Sequence, residues 1–398
     1  MFEKQNFFIE QSRYKKNIKK TKKVFEILKN DLKNGEIPML ESYEKDYKLE
    51  FTKNLVKKYS KFKNIVIIGM GGSILGTQTI HSFLREKIKK KIFFFDNLDP
   101  SLNLKFKKIK NLKKTCFIVV SKSGNTLETI TNLSTIFSKS LLKKRLIIIT
   151  EIKDSHLMDF ASFYDAEIIE HKEFIGGRYS VMSEASMFPA ALMGLDIKKF
   201  KNLKKQIKNK KFASNLIKNV AGIYTLNLNN TKNSVILNYD SGLNSLGSWY
   251  QQLTAESLGK RKKGITPILS YGPKDHHSLL QLYLDGPKDK FFTFLSSNIK
   301  KSKFNIPINN LSPKMNFLKN KSLEFVINAQ CEATKNIFEL KKIPFRQLKI
   351  SRKNEEELGK IFSFLVLETI MLARLMNVNP FDQPAVEQVK IETRKFLS

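Results

Sequence analysis

The chain has 398 residues, two cysteines, and 71 lysines and arginines against 37 acidic residues, for a formal net charge of +34. That length exceeds one ordinary small core and implies two domains or one large α/β domain with additions; Cys116 and Cys331 provide neither a disulfide framework nor a zinc spacing. The charge raises nucleic-acid binding, but only nine of the basic residues are Arg, the residue for bidentate base and phosphate contacts, so the lysine runs at 15–23, 105–114 and 198–211 read as a solvated surface whose field steers an anionic metabolite inward.

In chain order, residues 1–60 are charged and read as one or two amphipathic helices, with Val24, Ile27 and Leu28 as a short apolar stripe. Strands follow at 65–69, 91–95, 116–120, 145–150 and 166–170, with helical patterns between them, notably 73–89 and 127–142. Cys116 falls inside a strand pattern and reads as a buried thiol. The segment 172–198 joins this series to a second one. Strands at 234–239, 266–270, 290–296 and 345–350 there alternate with helices at 243–258, 276–284, 329–340 and 355–376. A helix from Pro384 closes the chain. Strand–helix alternation of this kind means parallel sheets with helices on both faces, and its recurrence suggests two related α/β halves. The longest apolar run, Ile361 to Met376, is interrupted by Glu368 and Arg374 and reads as a buried helix rather than a membrane span, which needs roughly 20 apolar residues. With no apolar signal segment after Met1, a cytoplasmic location is expected.

Two small-residue turns stand out, each after an apolar run. The first is Gly69–Met70–Gly71–Gly72–Ser73, the second Ser121–Lys122–Ser123–Gly124–Asn125–Thr126. Each reads as a strand, a tight turn and a helix start, where backbone N–H groups and the helix dipole favour an anion. Ser73, Ser121, Ser123 and Thr126 supply hydroxyls and Lys122 a charge, a set suited to a phosphate ester. The first turn alone is also compatible with a plain helix cap at Ser73. A dinucleotide fingerprint lacks its third glycine, because position 74 is Ile, although Asp96 ends the next strand where a ribose-binding acid would stand. No Gly-Lys-Ser/Thr follows to make a P-loop. Seven of the 17 glycines sit at 69, 71, 72, 76, 124, 176 and 177, which marks turns or close approach to a ligand.

Four further segments carry chemistry. Gly176–Gly177–Arg178–Tyr179–Ser180 can turn sharply and aim a guanidinium inward, at an oxyanion or at a surface acid. Gln251–Gln252–Leu253–Thr254–Ala255–Glu256–Ser257–Leu258–Gly259–Lys260 ends a helix with Gly259 as its cap. Helical spacing puts Glu256 on the side of Gln252 and Leu253, as a general base or as an ordinary exposed acid. Asp275–His276–His277–Ser278 places two of the five histidines together; neighbours on a helix face different ways, so one acid/base histidine is a better reading than a shared metal. Asn379–Pro380–Phe381–Asp382–Gln383–Pro384, leading to Lys390, is an extended helix entry.

Taken together and in this order, Ser-Lys-Ser-Gly-Asn-Thr, Gly-Gly-Arg-Tyr-Ser and Gln-Leu-Thr-Ala-Glu-Ser-Leu-Gly-Lys resemble the glucose-6-phosphate isomerase family from about residue 60 to 395. The resemblance implies two flavodoxin-like three-layer α/β/α sugar-isomerase (SIS) domains with parallel sheets. The boundaries are 1–45 for an N-terminal helical extension, 46–200 and 215–376 for the two domains, and 377–398 for a C-terminal helical segment. It implies a homodimer with shared active sites, reversible isomerisation of D-glucose 6-phosphate and D-fructose 6-phosphate through a cis-enediolate, and no cofactor or metal. By the same resemblance Glu256 moves the proton between C2 and C1, Arg178 stabilises the enediolate, and His277, reaching the partner subunit's site, opens the ring with Lys390. Ser73, Ser121, Lys122, Ser123 and Thr126 hold the substrate, chiefly its phosphate, and Gly72 and Gln383 line the site. The family's last motif carries a bulky residue and Gly after the Gln, and Gly before the Lys, where this chain has Pro384–Ala385 and Val389. Two other readings remain at this point. One is a non-catalytic sugar-phosphate sensor of the same domain type, which needs the phosphate turn but not Glu256, Arg178 and His277 together. The other is a nicotinamide-dependent dehydrogenase.

Overall fold

The strand β2 (Asn64–Gly69) is buried at all six positions, as β4 (Thr115–Val120) is. Continuous burial of this kind belongs to a parallel sheet covered on both faces. A computed structural model of the chain, describing residues 2–136, 142–297, 305–307 and 312–398, shows that sheet. With β3 (Lys91–Phe95), β5 (Leu146–Thr150) and β6 (Glu167–Glu170), the order is β3-β2-β4-β5-β6, and every pairing is parallel. Counting from the first strand of the half, this is the flavodoxin-like order 2-1-3-4-5. Alternate residues of β2 serve different layers: Ile65 and Ile67 face one apolar core, Val66 and Ile68 another.

The second sheet joins β7 (Asn233–Asn238), β8 (Thr266–Tyr271), β9 (Lys290–Ser297) and β10 (Phe345–Ile350) in the order β8-β7-β9-β10, again parallel. The two halves therefore repeat one winding. The fifth place in the second sheet goes to β1 (Phe2–Asn6), which pairs antiparallel with β10. This corrects the reading of residues 1–60 as helical throughout. The segment Phe2–Asn6 is too short and too charged for a strand signal, and only the open edge of β10 makes it one. After it, helix Gln11–Asn34 packs on helices Lys210–Leu228 and Glu355–Met376, so the N-terminal segment belongs to the second half in space.

Nine strands fall within one residue of their sequence-derived limits. Helices differ more. The pattern 73–89 resolves into helix Gly72–Phe83 and a 3-10 turn, Arg85–Lys87. That at 276–284 resolves into a 3-10 turn, Lys274–His277, and helix Leu280–Asp285. The helix expected from 329 starts at Leu323, where the Ser322 side chain accepts from Phe325 N. Of the pattern 127–142, residues 127–136 are helical, and 137–141 lie outside the described residues.

Helix Gly72–Phe83 packs on helices Glu184–Leu192 and Asn244–Leu258. One apolar core consequently runs through both halves, with Ile74, Ile80 and Phe83 beside Leu246, Trp249 and Leu253. That contact carries the first turn and the Glu256 helix to one place. Helix Glu355–Met376 is buried as expected, with Glu368 fully enclosed. Among the described residues no helix is long and apolar enough to cross a membrane.

Candidate active site

The first sheet reverses its winding between β2 and β4, since β3 lies on the other side of β2. At such a reversal the loops leaving the carboxyl ends of neighbouring strands diverge and leave a crevice. The two small-residue turns are those loops, and Gly69 stands opposite Val120 at the strand ends. In the second turn Ser121 is buried, and its Oγ lies 2.8 Å from Thr126 Oγ1. Ser123 is exposed and accepts from Asn125 N at 3.2 Å. Gly124 has φ +69°, and a Cβ there would sit 2.3 Å from Ser155 Oγ, so only glycine closes this turn. Lys122 Nζ stands 3.6 Å from the Glu151 carboxylate, which also pairs with Lys153. In the first turn the helix is entered through Gly71 with no side-chain cap, so Ser73 is not the capping residue.

The third motif meets the first backbone to backbone. A Cβ on Gly72 would lie 2.2 Å from the carbonyl carbon of Gly177, a separation only glycine permits, and Ser180 Oγ donates to Gly72 O at 3.2 Å. This approach sets the 3-10 turn Gly177–Met182 and with it Arg178, which is 3% exposed. Arg178 commits every donor edge. Nε donates to Ser257 Oγ at 2.9 Å, and Nη2 donates to the carbonyls of Pro380 and Asp382. Nη1 donates to Glu256 Oε2 at 3.2 Å and Gln383 Oε1 at 3.1 Å. The Ser257 hydroxyl, accepting from Arg178, passes its own hydrogen to Tyr179, and Tyr179 donates to Pro380 O, each at 2.9 Å. Burial pushes the Tyr179 hydroxyl up, which keeps it a donor.

Glu256 is held from both sides. One turn earlier on the same helix, Gln252 Nε2 donates to Glu256 Oε1 at 2.8 Å, the pairing its spacing predicts. Gln252 in turn abuts the first turn, where a Cβ on Gly71 would stand 2.9 Å from its Nε2. The Glu256 side chain remains 29% exposed while Arg178 is enclosed, so the acid is open to a ligand and the cation is a fixed part of the wall. An oxyanion formed beside Glu256 would stand next to a fixed positive charge, and the Nη1 hydrogen now given to the carboxylate is the one within reach of it.

The sequence profile described as "Phosphoglucose isomerase" matches residues 48–273. The chain belongs to the phosphoglucose isomerase family. A probable glucose-6-phosphate isomerase of Methanococcus maripaludis is 35% identical over 392 residues, spanning 92% of this chain and 86% of the relative. A glucose-6-phosphate isomerase of Methanocaldococcus jannaschii is 33% identical, with 84% of each chain covered. Among solved structures, a hypothetical protein of Thermus thermophilus superposes with TM-score 0.83 at 25% identity over 100% of both chains. A glucose-6-phosphate isomerase of Chlamydia trachomatis shares the fold, with TM-score 0.69 at 20% identity over 86% of this chain and 71% of its own.

Of the residues that the motif resemblance assigns to a site, the structure unites Gly72, Arg178, Glu256 and Gln383, and places Ser73, Ser121, Lys122, Ser123 and Thr126 on the two turns that leave β2 and β4. It does not bring His277 or Lys390 there. His276 is the packed histidine: its Nε2 lies 2.6 Å from Tyr239 Oη, and burial lowers its pKa. His277 is exposed in the 3-10 turn, and among the described residues no hydrogen bond or ion pair joins it to Glu256 or Arg178. Lys390 sits on helix Val386–Leu397, which buries no residue, and pairs with Glu387 at 2.9 Å. Among the described residues no hydrogen bond or ion pair joins Lys390 to Glu256 or Arg178.

Ser257, Tyr179 and Lys260 have roles that sequence reasoning missed. All three stand inside the quoted motifs, but the signal stopped at adjacency, because Ser257 meets Arg178 and Tyr179 across the fold and Tyr179 and Lys260 meet the segment 379–382. Asp96, weighed as a ribose ligand, accepts from Gln78 Nε2 at 2.6 Å and is structural. Among the described residues no group of three His, Cys, Asp or Glu side chains is gathered to hold a metal ion.

Proposed function

We propose that this chain interconverts D-glucose 6-phosphate and D-fructose 6-phosphate, a step of glycolysis and gluconeogenesis. The observation that carries this reading is the Glu256–Arg178 pair: an accessible carboxylate fixed by Gln252 beside a buried guanidinium whose other donors are all engaged. The phosphate ester binds at Ser121–Thr126 and Ser73, where two helix starts and Lys122 favour an anion. Anchoring that remote group orients C1 and C2 of the open sugar against Glu256. Glu256 removes the proton from C2 and returns it to C1, while Arg178 Nη1 turns the hydrogen it gives to the carboxylate onto the oxygen that gains charge in the cis-enediolate. The exchange balances when the O2 hydroxyl proton also passes to O1, so the aldehyde and the alcohol trade places by proton transfers alone.

In this reading 46–200 and 215–376 are the two sugar-isomerase domains, flanked by the segments 1–45 and 377–398, and the protein works in the cytoplasm as a homodimer. His277, exposed and without a role in its own chain, completes the neighbouring copy's site for ring opening. Lys390 joins it when the bare helix Val386–Leu397 is seated in that assembly.

Supplying fructose 6-phosphate and following glucose 6-phosphate, with no added metal or nucleotide, tests the assignment. Turnover abolished by Glu256→Gln supports it. Tight binding of fructose 6-phosphate with no turnover selects the sugar-phosphate sensor instead.

A further inference from the structure

We infer that the turn Lys260–Lys263 is a clip that holds the segment 376–383 against Arg178, with Lys260 as a positioning residue for the Arg178–Glu256 pair. The inference rests on the isomerase reading and assigns a role that reading does not contain.

Three sets of contacts support it. First, Lys260 is 10% exposed at its side chain, and its Nζ reaches three acceptors. These are Ser257 O at 3.2 Å, the Asn379 carbonyl, and Asp382 Oδ1 at 3.0 Å. Second, Lys263 Nζ donates to Met376 O at 2.9 Å, at the last turn of helix Glu355–Met376. One turn thus grips the segment at three points, 376, 379 and 382, just before Gln383. Third, the grip is built at a conformational cost. Lys260 and Lys263 exchange backbone hydrogen bonds of 3.1 and 2.9 Å. The residues between them, Arg261 and Lys262, both lie in the left-handed region at φ 51° and 58°. A two-residue hairpin of this hand favours Asn-Gly, and side-chain-bearing residues are disfavoured at both positions. Strain of that kind persists where surrounding contacts over-determine it.

The consequence reaches the reacting groups through Arg178. The gripped segment supplies the carbonyls of Pro380 and Asp382 that occupy Nη2, and Gln383 Oε1 that shares Nη1. Only the single Nη1 contact of 3.2 Å is left for Glu256. Once the segment is released, Nη2 is free to join Nη1 in a two-pronged fork on the carboxylate, the strong geometry for this pair. A carboxylate locked in that fork is a poorer base, and the guanidinium no longer faces the developing oxyanion. The charged and titratable groups around Glu256 are Arg178 and Tyr179 from the 3-10 turn, Lys260 after its own helix, and Asp382 from the gripped segment.

The test measures kcat and KM with fructose 6-phosphate for the wild type, Lys260→Met, Lys260→Arg and Asp382→Asn. Thermal melts confirm that each is folded. We expect Lys260→Met to lower kcat by about tenfold or more while KM changes by less than about threefold. Lys260→Arg keeps a cation that can span Asp382 and Asn379, and should restore most of kcat. Asp382→Asn keeps the shape and weakens the grip, so it should lower kcat by less; it decides the matter should Lys260→Met not fold. An unchanged kcat, a loss confined to KM, or an arginine variant no better than the methionine one overturns the clip. An inactive wild type, or full turnover by Glu256→Gln, overturns the isomerase reading and the clip with it. Loss of turnover in Glu256→Gln beside an unchanged kcat in Lys260→Met overturns the clip alone.

Discussion

Replacing Glu256 by Gln separates chemistry from binding in a way the geometry makes calculable. The carboxylate accepts from Gln252 Nε2 on one oxygen and from Arg178 Nη1 on the other. The amide keeps one acceptor, which can stay on Arg178, and places an NH2 towards Gln252. Gln252 Oε1 is buried with no partner, so a flip of the Gln252 amide turns its oxygen to the new donor. Arg178 also keeps Ser257, Pro380, Asp382 and Gln383. The fold should therefore lose no more than about 1 kcal/mol. The phosphate turn is untouched, so KM should stay within about tenfold. Loss of the base should lower kcat by a factor on the order of 10³ or more, about 4 kcal/mol of transition-state stabilisation. Steady-state isomerisation of fructose 6-phosphate gives both constants, and proton NMR in D2O reads deuterium entry at C1 and C2 directly. Turnover within tenfold of the wild type, or a rise in KM that accounts for the whole loss, refutes the role given to Glu256.

Other consequences follow from separate parts of the molecule. Ser121→Ala removes the partner of Thr126 at the anion turn and should raise KM for fructose 6-phosphate by about tenfold with kcat within about threefold, read in the same assay. Arg346 and Glu368 are both fully buried, paired at 2.6 Å and joined by Asn219 and Tyr250; Arg346→Met should cost about 3–5 kcal/mol of stability by leaving the Glu368 charge buried and unpaired, and adding Glu368→Leu should recover most of it, as thermal melts would show. Burial pushes His171 down to about 4, from an ordinary value near 6.5. Between those values the unfolded chain binds the extra proton, so the stability this group confers is complete above about pH 6.5 and drains as pH falls towards 4. Urea titrations should give about 2 kcal/mol less stability at pH 5 than at pH 7 from this group, a slope that His171→Gln would flatten.

Much of the architecture was readable because a parallel sheet buries whole strands. The runs at β2, β4 and β5 are apolar at nearly every position, and their limits were legible to within a residue. The edge strand β1 was not, because Phe-Glu-Lys-Gln-Asn has no strand pattern apart from the β10 edge it pairs with. The site divides along the same line. Glu256 and Gln252 lie one helical turn apart, so their contact is written in the spacing. Arg178 meets Glu256 across 78 residues and Gln383 across 205, and no spacing carries that.

The order of residues settles the chemistry on offer: which turns hold glycine, which carry hydroxyls, and where a carboxylate follows a glutamine by four residues. Those are local matters, set by backbone freedom and helical geometry within one element. Which of these groups meet is a matter of packing. Gly72 touches Gly177 because helix Gly72–Phe83 is pressed between Glu184–Leu192 and Asn244–Leu258, and that packing, driven by a core shared between the halves, sets Arg178 on Glu256. Packing likewise leaves other groups out of that contact: His277 and Lys390 lie on exposed segments, and among the described residues no hydrogen bond or ion pair joins either to Arg178 or Glu256.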